Sequence, residues 1–172
     1  NGLAGEEAVL AVVGAMGFQG LRKIRPELGE TIMVMGLGLL GQISAQTAAL
    51  SGAFPLLVMD FNPLRCEIAL KHGADYAFSP DEPGLQEKVL AVSRNRGVDG
   101  LIEVTGSPQA INQGLSLMAP LGRMALVGCS RTPTESIDFY HLVHRPGIQI
   151  IGAHNFVRPK EESRPGYWTM RD

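Results

Sequence analysis

Three glycines, Gly36, Gly38 and Gly41, stand in the pattern G-x-G-x-x-G between a short apolar segment and a helical one. In that context, after a strand and before a helix, the pattern is typical of turns that bind the pyrophosphate of a dinucleotide. Gly36 allows the tight turn, Gly38 lets the backbone approach the pyrophosphate, and Gly41 lets the helix pack close to the strand. The free N–H groups and the dipole of the first helical turn, at Leu39 and Leu40, favour an anion there. The alternative is a purely structural turn in another kind of α/β domain.

An acidic residue, Asp60, ends the next apolar segment about 20 residues beyond the glycine turn, where dinucleotide-binding domains place a carboxylate. That carboxylate can accept hydrogen bonds from the adenosine ribose hydroxyls, and it would repel a 2′-phosphate. Phe61 and Asn62 put no cation beside it, so the sequence favours NAD over NADP. Arg65, on the following helix, is a candidate for contact with the adenine or the ribose. The alternatives are a solvated strand-end aspartate and a plain surface arginine.

Two further predicted strands end in glycine. Val104, Thr105 and Gly106 end one of them, and Val127 and Gly128 end the other. Because the carboxyl ends of parallel strands share one edge of a sheet, we expect both ends to lie beside the glycine turn, where ligands of open parallel sheets bind. Each of the two could also be no more than a turn.

No catalytic and no metal-binding residue is predicted in this chain. Glu103 is interpreted as a hydrogen-bonding strand end, with a general base as the alternative. His141 and His144 share a spacing that suits one helical face, but the histidines show no metal-ligand pattern and are interpreted as polar surface. Cys66 and Cys129 are far apart and are interpreted as free thiols of a reducing, cytoplasmic compartment.

Apolar segments alternate with helical patterns along the chain, which predicts βαβ units and a parallel sheet. Six strands with helices between them fit an α/β Rossmann fold, a doubly wound six-stranded parallel sheet of order 3-2-1-4-5-6. Residues 1–155 are predicted to form this domain, with an N-terminal helix over 6–22, and 156–172 to form an arm that leads toward a missing catalytic domain. Pro120 is expected to end the helix before the fifth strand. The strands are predicted over 31–35, 56–60, 75–78, 98–104, 123–127 and 148–151.

The composition suits a single aliphatic core. Hydrophobic residues make up 45% of the 172 residues and aromatic residues only 6%, as expected of parallel strands buried on both faces. The net charge of −2 gives no electrostatic reason to expect nucleic acid or an anionic membrane surface. No stretch reaches the ~18 apolar residues that suggest a membrane span. The sequence therefore predicts no nucleic-acid and no membrane partner.

Taken together, these motifs resemble the medium-chain dehydrogenase/reductase superfamily, and most of all its zinc-type alcohol and sorbitol dehydrogenases. The resemblance covers about residues 6–155, nearly the whole chain. The stretches that carry it are 29–41 with the glycine turn, Asp60, Arg65, 71–75, 97–100, 103–108, and 121–123 followed by Val127 and Gly128.

The resemblance implies hydride transfer between an alcohol carbon and the nicotinamide of NAD(H). It places the glycine turn at the pyrophosphate and Asp60 at the adenosine ribose. Residues 104–106 would follow the cofactor, as would 127–129, which adds Cys129 to the candidate residues. Asn155 and the two residues before it would come near the nicotinamide.

The resemblance also implies a catalytic zinc on a separate, mostly N-terminal, barrel-like domain, which these residues do not contain. Zinc members often carry a Glu or Cys ligand in the helix before the glycine turn. Here the aligned position holds Val12, with Ala11 and Val13 beside it, and none of these side chains can bind zinc. Either the intact protein uses fewer protein ligands or it is a zinc-free member, and zinc is expected only in the missing domain.

The predicted function is the NAD(H)-binding domain of an alcohol or polyol dehydrogenase, inactive as this chain alone. The alternatives are a methyltransferase-like or other nucleotide-binding domain without dehydrogenase activity. A short-chain reductase is disfavoured because Tyr140 is followed by His144 rather than by the lysine of a Tyr-x-x-x-Lys motif. The apolar edge strand over 148–151 is expected to pair across a two-fold axis, as in the resembled family, which predicts a homodimer.

Overall fold

The computed structural model of the chain describes residue 2, residues 5–133 and residues 136–155. Within them, six parallel strands form one sheet of order β3-β2-β1-β4-β5-β6 with helices on both faces, so the predicted Rossmann fold and strand order are confirmed. The predicted arm over 156–172 lies outside the described residues. The strands are β1 (Ile32–Met35), β2 (Leu56–Met59), β3 (Tyr76–Phe78), β4 (Val98–Glu103), β5 (Met118–Leu126) and β6 (Gln149–Gly152).

The helices of the described chain join these strands in sequence order. None of them is long and apolar enough to cross a bilayer. They are α1 (Gly5–Val9), α2 (Ala11–Ile24), α3 (Leu39–Leu50), α4 (Pro63–Lys71), α5 (Leu85–Val92) and α6 (Pro108–Leu117), with a single-turn π-helix at Tyr140–His144.

The centre of the sheet is buried on both faces. Every residue of β1 and β2 is at most 2% exposed. Because alternate strand residues point to opposite faces, Ile32 and Val34 pack into a core with α2 and α3, whereas Met33 and Met35 pack into a core with α5 and α6. Burial on both faces explains why these strands are continuous apolar runs without polar alternation.

The predicted single helix over 6–22 is wrong in its bounds, because it is two helices, α1 and α2, that separate at Leu10. The second helix persists through its glycines because they allow close packing. A Cβ built on Gly20 would lie 2.6 Å from the Ile102 side chain, and one built on Gly17 would lie 3.0 Å from a side chain of α3. This packing offsets the low helix propensity of glycine.

Pro120 lies inside β5 and does not end α6 by itself, which corrects the predicted start of this strand at residue 123. The strand begins at Met118, directly after the helix. Its pairing with β4 is irregular between Val98 and Gly100, so the proline falls where the ladder is interrupted. A proline has no N–H to donate and is tolerated at such a bulge.

The last strand is displaced by one residue from the prediction over 148–151. Ile148 donates its N–H to the carbonyl of Val143 at 3.0 Å and stays outside the ladder, which extends to Gly152. Within the described residues β6 pairs only with β5, so it is an edge strand as predicted.

Two aspartates from the family-like motifs lie at the amino edge of the sheet. Asp99 accepts a hydrogen bond from the N–H of Thr31, just before β1, at 2.9 Å. Asp75 accepts one from the N–H of Leu56, the first residue of β2, at 2.7 Å. These carboxylates satisfy backbone donors at strand starts, on the edge opposite the glycine turn, so they serve the fold and not the site.

Candidate functional site

A cavity of about 940 Å³ opens at the carboxyl edge of the sheet, between the exits of β1, β2 and β4. This is the edge at which ligands of doubly wound sheets bind, beside the point where the strand order reverses. The predicted site residues that line it are Gly36, Gly38, Leu39, Leu40, Asp60, Phe61, Arg65, Val104 and Thr105. The structure therefore brings the glycine turn, the acidic residue and the exit of β4 into one concave surface.

The first and third glycines of the turn are required by the fold. Gly36 has a φ of +90°, and a Cβ there would lie 2.7 Å from Cγ2 of Thr105. A Cβ on Gly41 would lie 1.8 Å from the carbonyl oxygen of Gly36, so α3 could not approach β1. Gly41 is buried behind the turn and does not line the cavity, in keeping with its predicted role in packing.

Gly38 is different, because the described chain gives no reason for a glycine there. Its φ of −65° and ψ of −169° suit any residue, and a Cβ built on it meets no described atom within 4 Å. The residue is exposed and faces the cavity. A glycine that neither conformation nor internal packing requires indicates close approach by something outside the chain.

The carboxylate of Asp60 lies beside the glycine turn and joins it to the loop after β2. Its Oδ2 accepts a hydrogen bond from the N–H of Leu37 at 2.6 Å, and its Oδ1 accepts one from the N–H of Asn62 at 2.8 Å. Each carboxylate oxygen has a further lone pair for a ligand hydroxyl. The sequence predicted Asp60 as a ligand residue but missed its role in holding the glycine turn.

Arg65, predicted as a candidate for contact with the adenine or the ribose, places a cation beside Asp60, where the adjacent Phe61 and Asn62 supply none. Its Nη1 lies 3.6 Å from Oδ2 of Asp60, and its side chain is 51% exposed. A half-exposed ion pair of this kind contributes little to stability. Phe61, 73% exposed at the rim, offers an apolar surface beside it.

Glu103 ends β4 as a fully buried carboxyl beneath the cavity wall. Its Oε1 accepts hydrogen bonds from the N–H of Thr105 at 2.6 Å, from the N–H of Gly106 at 3.0 Å and from the Thr105 hydroxyl. Burial raises the pKa of this carboxyl, and the hydrogen bonds from Thr105 and Gly106 oppose the rise. It does not line the cavity, so the structure favours the interpretation as a strand end over a base.

The exits of β4 and β5 contact each other more than they contact the cavity. A Cβ on Gly128 would lie 2.2 Å from the backbone nitrogen of Gly106, and one on Gly106 would lie 2.9 Å from the backbone of Cys129. Val127 packs partly buried against the core. Predicted residues that lie at this edge without lining the cavity are Gly106, Val127, Gly128, Cys129 and Asn155.

Several lining residues were missed because they come from α6 and from the loop after β3. Gln113 donates its side-chain N–H to the carbonyl of Pro80 at 2.6 Å, and Gln109 accepts a hydrogen bond from the Ser107 hydroxyl at 2.8 Å. The spacing of the two glutamines places them on one face of α6, which is a signal the sequence contained. The sequence does not show which strand exit this face of α6 covers, because that depends on how the sheet assembles.

The histidines do not form a metal site in the described part of the chain. There, no three His, Cys, Asp or Glu side chains are grouped so that they could hold a metal ion. His141 instead contacts the carboxylate of Asp138, with its Nδ1 at 2.7 Å from Oδ2. The hydrogen bonds from His141 lower the pKa of Asp138.

Comparison with known proteins gives consistent matches. A family model described as zinc-binding dehydrogenase matches residues 40–165. L-threonine 3-dehydrogenase of Pyrococcus abyssi is 35% identical over 127 residues, which are 74% of this chain and 36% of that protein. Sorbitol dehydrogenase of Bacillus subtilis is 32% identical over 128 residues, again 74% of this chain and 36% of that protein.

A solved structure from Clostridium scindens, described as a putative zinc-binding dehydrogenase, superposes on this chain with a TM-score of 0.75 and 28% sequence identity. The superposed region is 83% of this chain and 41% of that one. The chain spans little more than a third of the length of the two curated relatives. These matches confirm the resemblance found in the sequence. The chain therefore belongs to the zinc-binding dehydrogenase family, within the medium-chain dehydrogenase/reductase superfamily, and forms the cofactor-binding domain of that family.

Proposed function

We propose that this chain is the NAD(H)-binding domain of a dehydrogenase that acts on an alcohol or a polyol. Gly38 is the observation that carries the proposal, because it is a glycine that the fold does not require and it faces a cavity of about 940 Å³. Asp60, beside the glycine turn, supplies the carboxylate that a ribose needs. Membership in the family supports hydride transfer as the chemistry of the intact protein.

The residues of the cavity fit a dinucleotide. Asp60 would accept hydrogen bonds from the adenosine ribose hydroxyls, and Gly38 with the first turn of α3 would offer N–H groups to the pyrophosphate. When bound, the nicotinamide supplies the hydride chemistry, and this chain's residues hold the cofactor and exclude water from it. The residues proposed to follow the other half of the cofactor are Val104, Thr105, Gly106, Val127, Gly128, Cys129 and Asn155.

The substrate is proposed from the relatives and not from a pocket in this chain. Threonine and sorbitol, which the names of two relatives contain, both carry hydroxyl groups. We propose no catalytic residue here, and any zinc of the intact protein would be bound outside the described residues. The chain alone is therefore expected to show no turnover when NADH absorbance is followed with a panel of alcohols and polyols.

Asp60 predicts a preference for NADH over NADPH, because a carboxylate repels a 2′-phosphate. Replacing Asp60 with glycine should lower the ratio of the NADPH to the NADH dissociation constant about tenfold or more, which is at least about 1.4 kcal/mol. Both affinities should also weaken, since the N–H groups of Leu37 and Asn62 lose their acceptor. Isothermal titration calorimetry of both cofactors with the Asp60→Gly variant measures the ratio.

Asp75→Gly is the matched control for this experiment. Asp75, like Asp60, accepts a hydrogen bond from a backbone N–H, but its donor is Leu56 at the amino end of β2, away from the cavity. The ratio of affinities in this variant should equal that of the unmodified chain. Tighter binding of NADPH than NADH by the unmodified chain would contradict the proposed preference, and binding of S-adenosylmethionine in place of either cofactor would favour the methyltransferase alternative.

The open edge of β6 supports a proposed two-fold dimer. The N–H of Ala153 donates to the carbonyl of Leu126 in β5 at 3.0 Å. Because alternate residues of a strand direct their N–H groups to the same side, Ile151 also faces β5 and Ile150 faces the open edge. An exposed row of such groups is what a second strand can pair with.

Ile150→Pro should therefore separate the dimer and leave the sheet intact. It removes an N–H from the open edge, and because the two-fold symmetry makes the change act twice, the pairing loses two hydrogen bonds at about 0.5–1.5 kcal/mol each. Light scattering at micromolar concentration should change from a dimer to a monomer mass. Ile151→Pro, which removes an N–H directed at β5, should instead lower the melting temperature. A monomer mass for the unmodified chain would rule the dimer out.

A further inference from the structure

Gln19, on α2, is a polar side chain that is buried in the fold, with 1% of its surface exposed. Its Nε2 donates hydrogen bonds to two successive carbonyl oxygens, that of Ala153 at 3.1 Å and that of His154 at 2.7 Å. These carbonyls follow β6, so one amide joins α2 to the chain that leaves the last strand. No motif in the sequence singles this residue out.

The segment that receives these hydrogen bonds is held from two sides. The N–H of Ala153 donates to Leu126 at the end of β5, while the carbonyls of Ala153 and His154 face Gln19. The other amide atom of Gln19, Oε1, is buried and accepts no hydrogen bond within the described part of the chain. The side chain therefore acts in this structure as a donor to the backbone after β6.

The position of this backbone relative to the cavity follows from the sheet order. Asp60 and Arg65 lie at the exit of β2, on one side of β1, whereas β4, β5 and β6 lie on the other side. A dinucleotide binds across the crevice at the switch point, with its two halves on opposite sides of the central strand. If the adenosine half binds beside Asp60, the nicotinamide half therefore binds on the side of β1 where β4, β5 and β6 lie.

We propose that Gln19 is a positioning residue for the nicotinamide half of the cofactor, an inference that rests on the proposed function. It acts through the backbone of Ala153 and His154, which its two N–H groups fix at the exit of β6. Without these donors both carbonyls lose the hydrogen bonds from Gln19, and the segment moves. The adenosine half is insensitive to that movement because it binds on the other side of β1.

Two ligands separate this role from a general loss of stability. ADP-ribose contains the adenosine and pyrophosphate of NADH but lacks the nicotinamide. Gln19→Met keeps the length and volume of the side chain and removes both donors. Calorimetric titration of the full chain should show NADH binding weakened about tenfold in this variant and ADP-ribose binding changed by less than about twofold.

Gln19→His retains a ring N–H that can donate to one carbonyl, so it should recover much of the lost NADH affinity. Gln42→Met is the matched control, because Gln42 also donates its side-chain amide to a backbone carbonyl, that of Arg65 at 2.8 Å, but on the adenosine side. Any weakening in that variant should be equal for NADH and ADP-ribose, since both carry the adenosine.

Three results would overturn the role of Gln19: parallel weakening of both ligands in Gln19→Met, unchanged NADH binding in that variant, or equal affinity of the unmodified chain for NADH and ADP-ribose. Failure of the unmodified chain to bind either ligand is a separate outcome, which would overturn the proposed function and this role together.

Discussion

Replacing Gly38 with alanine is expected to weaken NADH binding about 10- to 100-fold, since overpacking a close contact costs about 1–3 kcal/mol. The added methyl group would enter the cavity at the point where, under the proposed function, the backbone approaches the pyrophosphate. No described atom lies within 4 Å of that position, so the folded chain itself can accept the change.

The stability of the Gly38→Ala variant should stay within about 1 kcal/mol of the unmodified chain, because two small effects oppose each other. Alanine at a φ of −65° lowers the entropy of the unfolded chain and so stabilises the fold. Gly38 is also the N-cap of α3, where alanine is worse than glycine. Urea unfolding and NADH titration on the same preparation measure the two effects separately.

Gly41→Ala is the control with the reverse outcome. Its Cβ would lie 1.8 Å from the carbonyl oxygen of Gly36, which belongs to the backbone and cannot rotate away. We expect a loss of about 3 kcal/mol or more in the free energy of unfolding. Unchanged NADH affinity in a well-folded Gly38→Ala variant would contradict the proposed contact with the pyrophosphate.

Replacing Glu103 with glutamine should change how stability depends on pH. Because burial raises the pKa of Glu103 above its ordinary value of 4.5, the folded chain keeps this proton to a higher pH than the unfolded chain does. The stability from this group is complete below the unfolded pKa and is lost as pH rises through the folded pKa. Glutamine does not titrate, so the variant loses no stability in that interval.

The free energy of unfolding of Glu103→Gln minus that of the unmodified chain should therefore rise with pH above about 4.5, by up to about 1.4 kcal/mol per pH unit, and then level off. Chemical unfolding at a series of pH values gives this difference directly. A difference that stays flat from acid to neutral pH would contradict a buried carboxyl with a raised pKa.

Glu82→Gln is the matched control, with the opposite sign. The hydrogen bond from the Lys88 side chain lowers the pKa of Glu82, so Glu82 contributes stability that is present at higher pH and is lost on acidification. Relative to the unmodified chain, this variant should become less stable as pH rises.

The sequence alone predicted the fold because its signals are local. Continuous apolar runs of β1 and β2 indicate strands buried on both faces, and the helix predicted directly after the glycine turn is α3, which begins at Leu39. One error has a tertiary cause, because the position of Pro120 inside β5 depends on irregular pairing with β4.

The sequence predicted those residues of the candidate site that belong to a recognisable motif. Gly38 and Asp60 were found from their spacing, and both line the cavity. Gln109 and Gln113 were not, because the face of α6 that covers the cavity is set by the assembled sheet. Two hydrogen bonds were not predicted either. Gln19 donates to the backbone of Ala153, far along the chain, and the N–H of Leu37 donates to Asp60 on the next strand exit.

The two hydrogen bonds that Asp60 accepts bear on how cofactor preference can change during evolution or engineering. Under the proposed function, replacing Asp60 with a residue that has no acceptor, such as glycine or alanine, removes the repulsion of a 2′-phosphate but leaves the N–H of Leu37 without its acceptor, at a loss of about 1–3 kcal/mol where that group is buried. Such a variant would bind both cofactors poorly. A productive route keeps a neutral acceptor for this N–H, either a serine hydroxyl at position 60 itself or a side-chain amide introduced on α4 together with the loss of the carboxylate.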